Sequence, residues 1–130
     1  MERNEPITQD YTHRLLACAY AVHTALGPGL LENIYEKAMA HELRLNGFQV
    51  ETQVPVKIKY KGIELGQELR LDLLVDRQVI VEVKSVMEVQ PVHYKQLLTY
   101  MRLVDVKLGY LINFDVEKLK DGIQRVVNHY

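Results

Sequence analysis

Two runs of alternating apolar residues, Leu69 to Val75 and Val79 to Ser85, stand only three residues apart, and this feature restricts the fold of the chain most tightly. In the first run Leu69, Leu71, Leu73 and Val75 share one side of an extended strand, with Arg70, Asp72 and Leu74 on the other. In the second, Val79, Val81 and Val83 oppose Ile80, Glu82 and Lys84. Both apolar rows enter one core only if the connecting loop has an odd number of residues, and Asp76, Arg77 and Gln78 supply three. Such a loop usually places a glycine where φ is positive, and Gln78 departs from that habit. The resulting register sets Asp72 directly across from Glu82. Carboxylates with Cβ atoms roughly 5 Å apart repel unless a cation lies between them, so a hairpin serving only the fold would avoid this pair.

A magnesium-type ion prefers oxygen ligands, takes one or two carboxylates and keeps several waters. Asp72 and Glu82 supply the charge, and Lys84, two residues on along the same face, can orient an attacking water and offset charge building on a phosphate. The plainer reading of the trio is a solvated sheet face. The valines between them, and Leu74 and Ile80 beside them, argue instead for a largely covered sheet.

The remaining pattern surrounds this hairpin with helices. Asp10 to Leu26 carries Leu15, Ala19, Val22 and Leu26 at helical spacing, with Thr8 or Asp10 to cap it. Gly27-Pro28-Gly29 breaks the run, and Leu31, Ile34, Ala38 and Leu45 then predict a second helix ending at Asn46-Gly47. Val54, Val56, Ile58 and Tyr60 alternate as a strand up to a turn at Lys61-Gly62. Pro91 opens a helix to about Val104, Lys107 to Phe114 reads as a strand, and Ile123 to Val127 either extends a helical turn or forms a short last strand. With 130 residues, 48% hydrophobic and 25% charged, the chain fits one domain over 1–130, with 1–9 expected as a loose tail. The net charge of -1 gives no global attraction to polyanions. The single Cys18 excludes an intramolecular disulfide and suits a reducing, cytoplasmic setting. The N-terminus lacks the basic start and apolar run of a secretory signal, and no apolar stretch reaches membrane-spanning length. The five histidines lack zinc-type spacing, and no glycine-rich phosphate loop opens a helix. Lys57, Lys59 and Lys61 read as a solvated or protected edge rather than as phosphate contacts.

The order Asp72, then Glu82-Val83-Lys84, resembles the PD-(D/E)XK nuclease superfamily, and Gly29-Leu30-Leu31-Glu32-Asn33-Ile34-Tyr35 resembles the signature of its GxxExxY branch. Leu71 stands where the superfamily name has proline, a position without a ligand role. Gln96-Leu97-Leu98-Thr99-Tyr100 is similar to the Q-x-x-x-Y motif of RecB-like members. The resemblance implies an α/β (mixed α+β) fold with a restriction-endonuclease-like core, a central mixed sheet flanked by helices. The expected order is α-α-β-β-β-α-β, with a short C-terminal strand optional. It also implies a metal-dependent nuclease acting on DNA or RNA with Mg2+ or Mn2+. Glu32, Asp72 and Glu82 would be its ligands, Lys84 its base or charge stabiliser and Gln96 a helper, with Gly29, Tyr35 and Tyr100 in support. Helical spacing puts Glu32, Tyr35 and Met39 on one side, which predicts that all three face inward. No membrane partner is expected, and a homodimer is compatible with the pattern. The alternative is an inactive module of the same fold that binds nucleic acid or a protein.

Overall fold

A computed structural model describes residues 5–66 and 69–129. Met1 to Asn4 of the expected loose tail lie outside the described residues. The rest of that expected tail is tethered: Glu5 pairs with Arg14, its carbonyl accepts from the Gln78 amide at 2.8 Å, and Thr8 caps the first helix by accepting the Tyr11 N–H at 3.1 Å. Helices α1 (Gln9–Leu26) and α2 (Glu32–Leu45) precede strand β1 (Val50–Val56). The small hairpin β2 (Lys59–Tyr60) and β3 (Ile63–Glu64) comes next, then β4 (Leu69–Val75) and β5 (Val79–Lys84). Helix α3 (Pro91–Val104), strand β6 (Leu108–Asn113), a short 3-10 turn (Leu119–Gly122) and β7 (Ile123–Val127) complete the order. The expected strand through Tyr60 therefore ends at Val56, and its remainder forms the separate β2–β3 hairpin. The last segment is the short strand β7. No helix among the described residues is long and apolar enough to cross a membrane.

Five strands form one mixed sheet in the order β1-β4-β5-β6-β7, with β5 and β6 parallel and every other neighbour antiparallel. Helices cover both faces, giving the α/β fold with a restriction-endonuclease-like core. Parallel pairing of β5 with β6 requires the crossover that α3 provides. On one face α1 and α2 bury Tyr11, Leu15, Tyr35, Met39 and Leu43 against Leu73, Val81 and Val83. On the other, α3 sets Leu97 and Met101 against Leu71, Ile80 and Leu111. It lies so close that a Cβ added to Gly109 would come within 2.8 Å of the Met101 sulfur.

Two expectations about the core need correction. The buried stripe of α2 is Tyr35, Met39 and Leu43, while Leu31, Ile34 and Leu45 are exposed, as is Leu26 of α1. Tyr35 decides this rotation, because its ring stacks on Phe114 at a centroid distance of 4.7 Å. In addition, Leu69, Leu71, Leu73 and Val75 do not share a face. Leu69 and Leu71 join the α3 side, and Leu73 and Val75 the side of α1 and α2. Strand β1 switches sides at the same place, with Val50 toward α1 and α2 and Val54 and Val56 toward α3. The rung between the two switches, Gln53 opposite Asp72, is missing from an otherwise regular ladder, and Gln53 takes a positive φ of 49°. That interruption turns both strands over.

Candidate active site

The β4–β5 turn has the length expected from parity. Val75 pairs with Val79, leaving Asp76, Arg77 and Gln78 as the loop. Positive φ falls on Asp76 (51°) and Arg77 (54°), not on Gln78. Asp76 tolerates it because its carboxylate accepts the Gln49 N–H at 2.8 Å and the Tyr11 hydroxyl at 2.9 Å.

At the other end of the hairpin regular pairing stops at Leu73 and Val81, one rung before Asp72 and Glu82. The two acids take over from the ladder. The Asp72 N–H donates to Glu82 Oε2 at 2.8 Å, and the Val83 N–H donates to Asp72 Oδ2 at 2.9 Å. Each carboxylate thus occupies the place of a backbone carbonyl, and the strands part around the pair. Glu82 is only 7% exposed. Burial and the Asp72 charge push its carboxyl up to about 8, against the opposing pull of the Asp72 N–H and Lys84. Burial likewise raises Asp72, offset by the Val83 N–H and Lys84 and reinforced by Glu32. Lys84, half-buried on the same face of β5, is the cation that both acids feel.

Helix α2 approaches the gap from its N-terminal end. Glu32 is its first residue and is exposed, so the expectation that it faces inward with Tyr35 and Met39 fails for Glu32 alone. Its charge nevertheless reaches Asp72. The loop before it is fixed by Tyr35, whose hydroxyl donates to the Gly27 carbonyl and accepts the Leu30 N–H at 3.1 Å. Gly29 has a φ of 98°, where a side chain would be strained. The Ser85 hydroxyl, just past β5, donates to the Leu30 carbonyl at 2.6 Å and ties this loop to the acidic strand. Gly29 shapes the loop, Glu32 stands at its exit and Tyr35 locks it.

Two residues without a role in the sequence pattern belong to the same group. Glu36 lies one turn after Glu32 on α2, and its carboxylate accepts from the Gln53 amide at 2.7 Å. The same amide nitrogen stands 3.4 Å from Asp72 Oδ1. Burial raises Glu36, countered by Gln53 and reinforced by the charges of Asp72 and Glu32. The i, i+4 spacing from Glu32 was a usable signal for Glu36. Gln53 had none, since it enters only through the β1–β4 register. On the α3 side Tyr100 is half-buried and its hydroxyl is raised by burial and by the charges of Glu82 and Asp72. Gln96, one turn earlier, is exposed and not drawn into the buried pair.

Among the described residues no three His, Cys, Asp or Glu side chains converge as a ready-made metal cage. A magnesium-type ion does not need one, because one or two carboxylates suffice when water and phosphate oxygens fill the remaining positions. An all-oxygen pair of carboxylates that still repel each other beside Lys84 fits such an ion.

A family model described as the PD-(D/E)XK nuclease superfamily matches residues 9–126. In structure the chain is similar to an alkaline exonuclease (LHK-Exo) from Laribacter hongkongensis, with a TM-score of 0.52 and 13% sequence identity over 95% of this chain and 72% of that one. At that identity the likeness speaks for the fold. No curated protein is significantly similar in sequence.

Proposed function

Given that the chain belongs to the PD-(D/E)XK nuclease superfamily, we propose that it hydrolyses phosphodiester bonds in DNA or RNA and depends on magnesium or manganese. One observation carries the reading: Asp72 and Glu82 are locked face to face in the gap between parting strands, with Lys84 beside them. Asp72 and Glu82, joined by Glu32 from the start of α2, would hold the metal. When bound, such an ion polarises the phosphate and acidifies water. The Lys84 ammonium orients the attacking water and offsets negative charge developing on the phosphate oxygens. From α3, the exposed Gln96 and the half-buried Tyr100 would support the site. The loop fixed by Gly29 and Tyr35 supports placing the chain in the GxxExxY branch. The lone, buried Cys18 suits action in the cytoplasm.

The test is cleavage of plasmid and of labelled DNA and RNA oligonucleotides with magnesium or manganese. Wild type is expected to cut, EDTA to stop it, and Lys84→Ala to slow it by about a hundredfold or more. Equal cutting by wild type and Lys84→Ala overturns the assignment.

A further inference from the structure

The β2–β3 hairpin lies in the chain between the end of β1 and the start of β4, the end of the sheet toward which the acidic gap opens. The last rung of β1 with β4 is Val56 opposite Leu69, and the hairpin is built from the chain between them. Asp72 comes three residues after Leu69, roughly 10 Å of strand. The β4–β5 ladder opens beyond Leu73 and Val81 toward this same end of β4.

The hairpin's surface is unusual for an edge that only needs to stay soluble. Tyr60 and Ile63 form a cross-strand pair and are 60% and 65% exposed, with Leu65 nearby at 54%. Lys59 and Lys61 are exposed on either side of Tyr60, and the Lys61 ammonium lies 5.4 Å from the Tyr60 ring centroid. Lys57 is paired with Glu64 at 3.4 Å and adds little net charge. A second copy of the chain would seek apolar contact without the lysines, whereas an exposed aromatic ring with the Lys61 ammonium beside it and Lys59 on the reverse face, opposite Glu64, is complementary to a base attached to phosphates.

We infer that the β2–β3 hairpin is a docking finger for single-stranded nucleic acid, with Lys59 and Lys61 taking backbone phosphates and Tyr60, backed by Ile63, stacking on an unpaired base. A duplex keeps its base faces stacked on one another, so a tyrosine ring meets one only where the strand is single. The inference rests on the nuclease reading for what the strand is delivered to, but the docking itself does not require turnover.

Fluorescence anisotropy of a labelled oligothymidine about twenty nucleotides long, without divalent metal, tests the finger separately from cleavage. Tyr60→Ala is expected to bind roughly tenfold more weakly and Tyr60→Phe like wild type, because the phenyl ring keeps the stacking face. Removing both Lys59 and Lys61 should reduce the slope of log affinity against log salt by about 1.4. Circular dichroism and thermal melting confirm that the variants fold. Equal binding by Tyr60→Ala and wild type, no binding by wild type, or tighter binding to a blunt duplex overturns the inference. Tyrosine-dependent binding by a protein that fails to cut upholds the finger and sinks only the nuclease reading.

Discussion

Asp72 and Asp76 stand at opposite ends of one hairpin, and different groups face them. Asp76, 3% exposed, is served by the Gln49 N–H and the Tyr11 hydroxyl, both neutral donors held by the core. Its own N–H is satisfied by the Gln49 carbonyl at 2.8 Å. Asp72 also accepts a backbone N–H, from Val83. Across from it, however, stands a second carboxylate that takes the Asp72 N–H in return. Donors aimed at a carboxylate complete a turn, whereas two facing acids repel and favour a proton or a cation between them, in keeping with the raised Glu82 carboxyl. The first arrangement stabilises the fold, and the second holds a place for chemistry.

Matched substitutions can break that contrast. Asp76→Ala leaves the Gln49 N–H and the Tyr11 hydroxyl without an acceptor and puts alanine at a φ of 51°. It should destabilise the protein by about 3 kcal/mol, seen as a fall in melting temperature. Asp72→Asn should instead abolish metal-dependent cleavage without lowering the melting temperature of the metal-free protein. If Asp76→Ala melts like wild type, or Asp72→Asn melts far below it, the two aspartates do not divide the work in this way.

A pH-dependent effect comes from Glu82, whose carboxyl is raised from 4.5 to about 8. Between these values the folded state holds a proton that the unfolded state has released. Stability from this group is therefore full below about 4.5, falls as pH rises and is lost above about 8. Melting of metal-free protein across that window should show the decline, and Glu82→Gln should flatten it; an unchanged slope in the variant would assign the decline to other groups. The smallest effect concerns the missing rung between β1 and β4, where Gln53 faces Asp72. Gln53→Gly relieves a positive φ of 49° and should be more stable than Gln53→Ala by about 1 kcal/mol in denaturant titrations. Both variants should lose several-fold in cleavage, having lost the amide that bridges Glu36 and Asp72.

The same contrast marks how far the sequence could be read. Loop length placed β4 and β5, their three-residue turn and the register from Val75 opposite Val79 to Leu73 opposite Val81 correctly, because turn length is a local constraint. The next step brings Asp72 and Glu82 together through side chain to backbone bonds. Pro91 and the Asn46-Gly47 stop likewise located α3 and the end of α2. Locality also explains the errors. Leu31, Ile34 and Leu45 have helical spacing equal to that of Tyr35, Met39 and Leu43, and only the Phe114 ring from beyond β6 selects between the stripes.

By itself, then, the sequence determined the hairpin, the nearness of its two acids and the helical frame, each set by dihedral preference and periodicity within a few residues. Tertiary structure alone decided the face switch at Gln53 and Asp72, the entry of Gln53 and the exposure of Glu32. It also decided that Lys59 and Tyr60 leave the main sheet for a separate two-stranded hairpin, with the Lys61 ammonium beside the exposed tyrosine ring. These depend on which distant strand or ring fills the neighbouring space. Periodicity along the chain cannot encode a contact that the rest of the fold supplies.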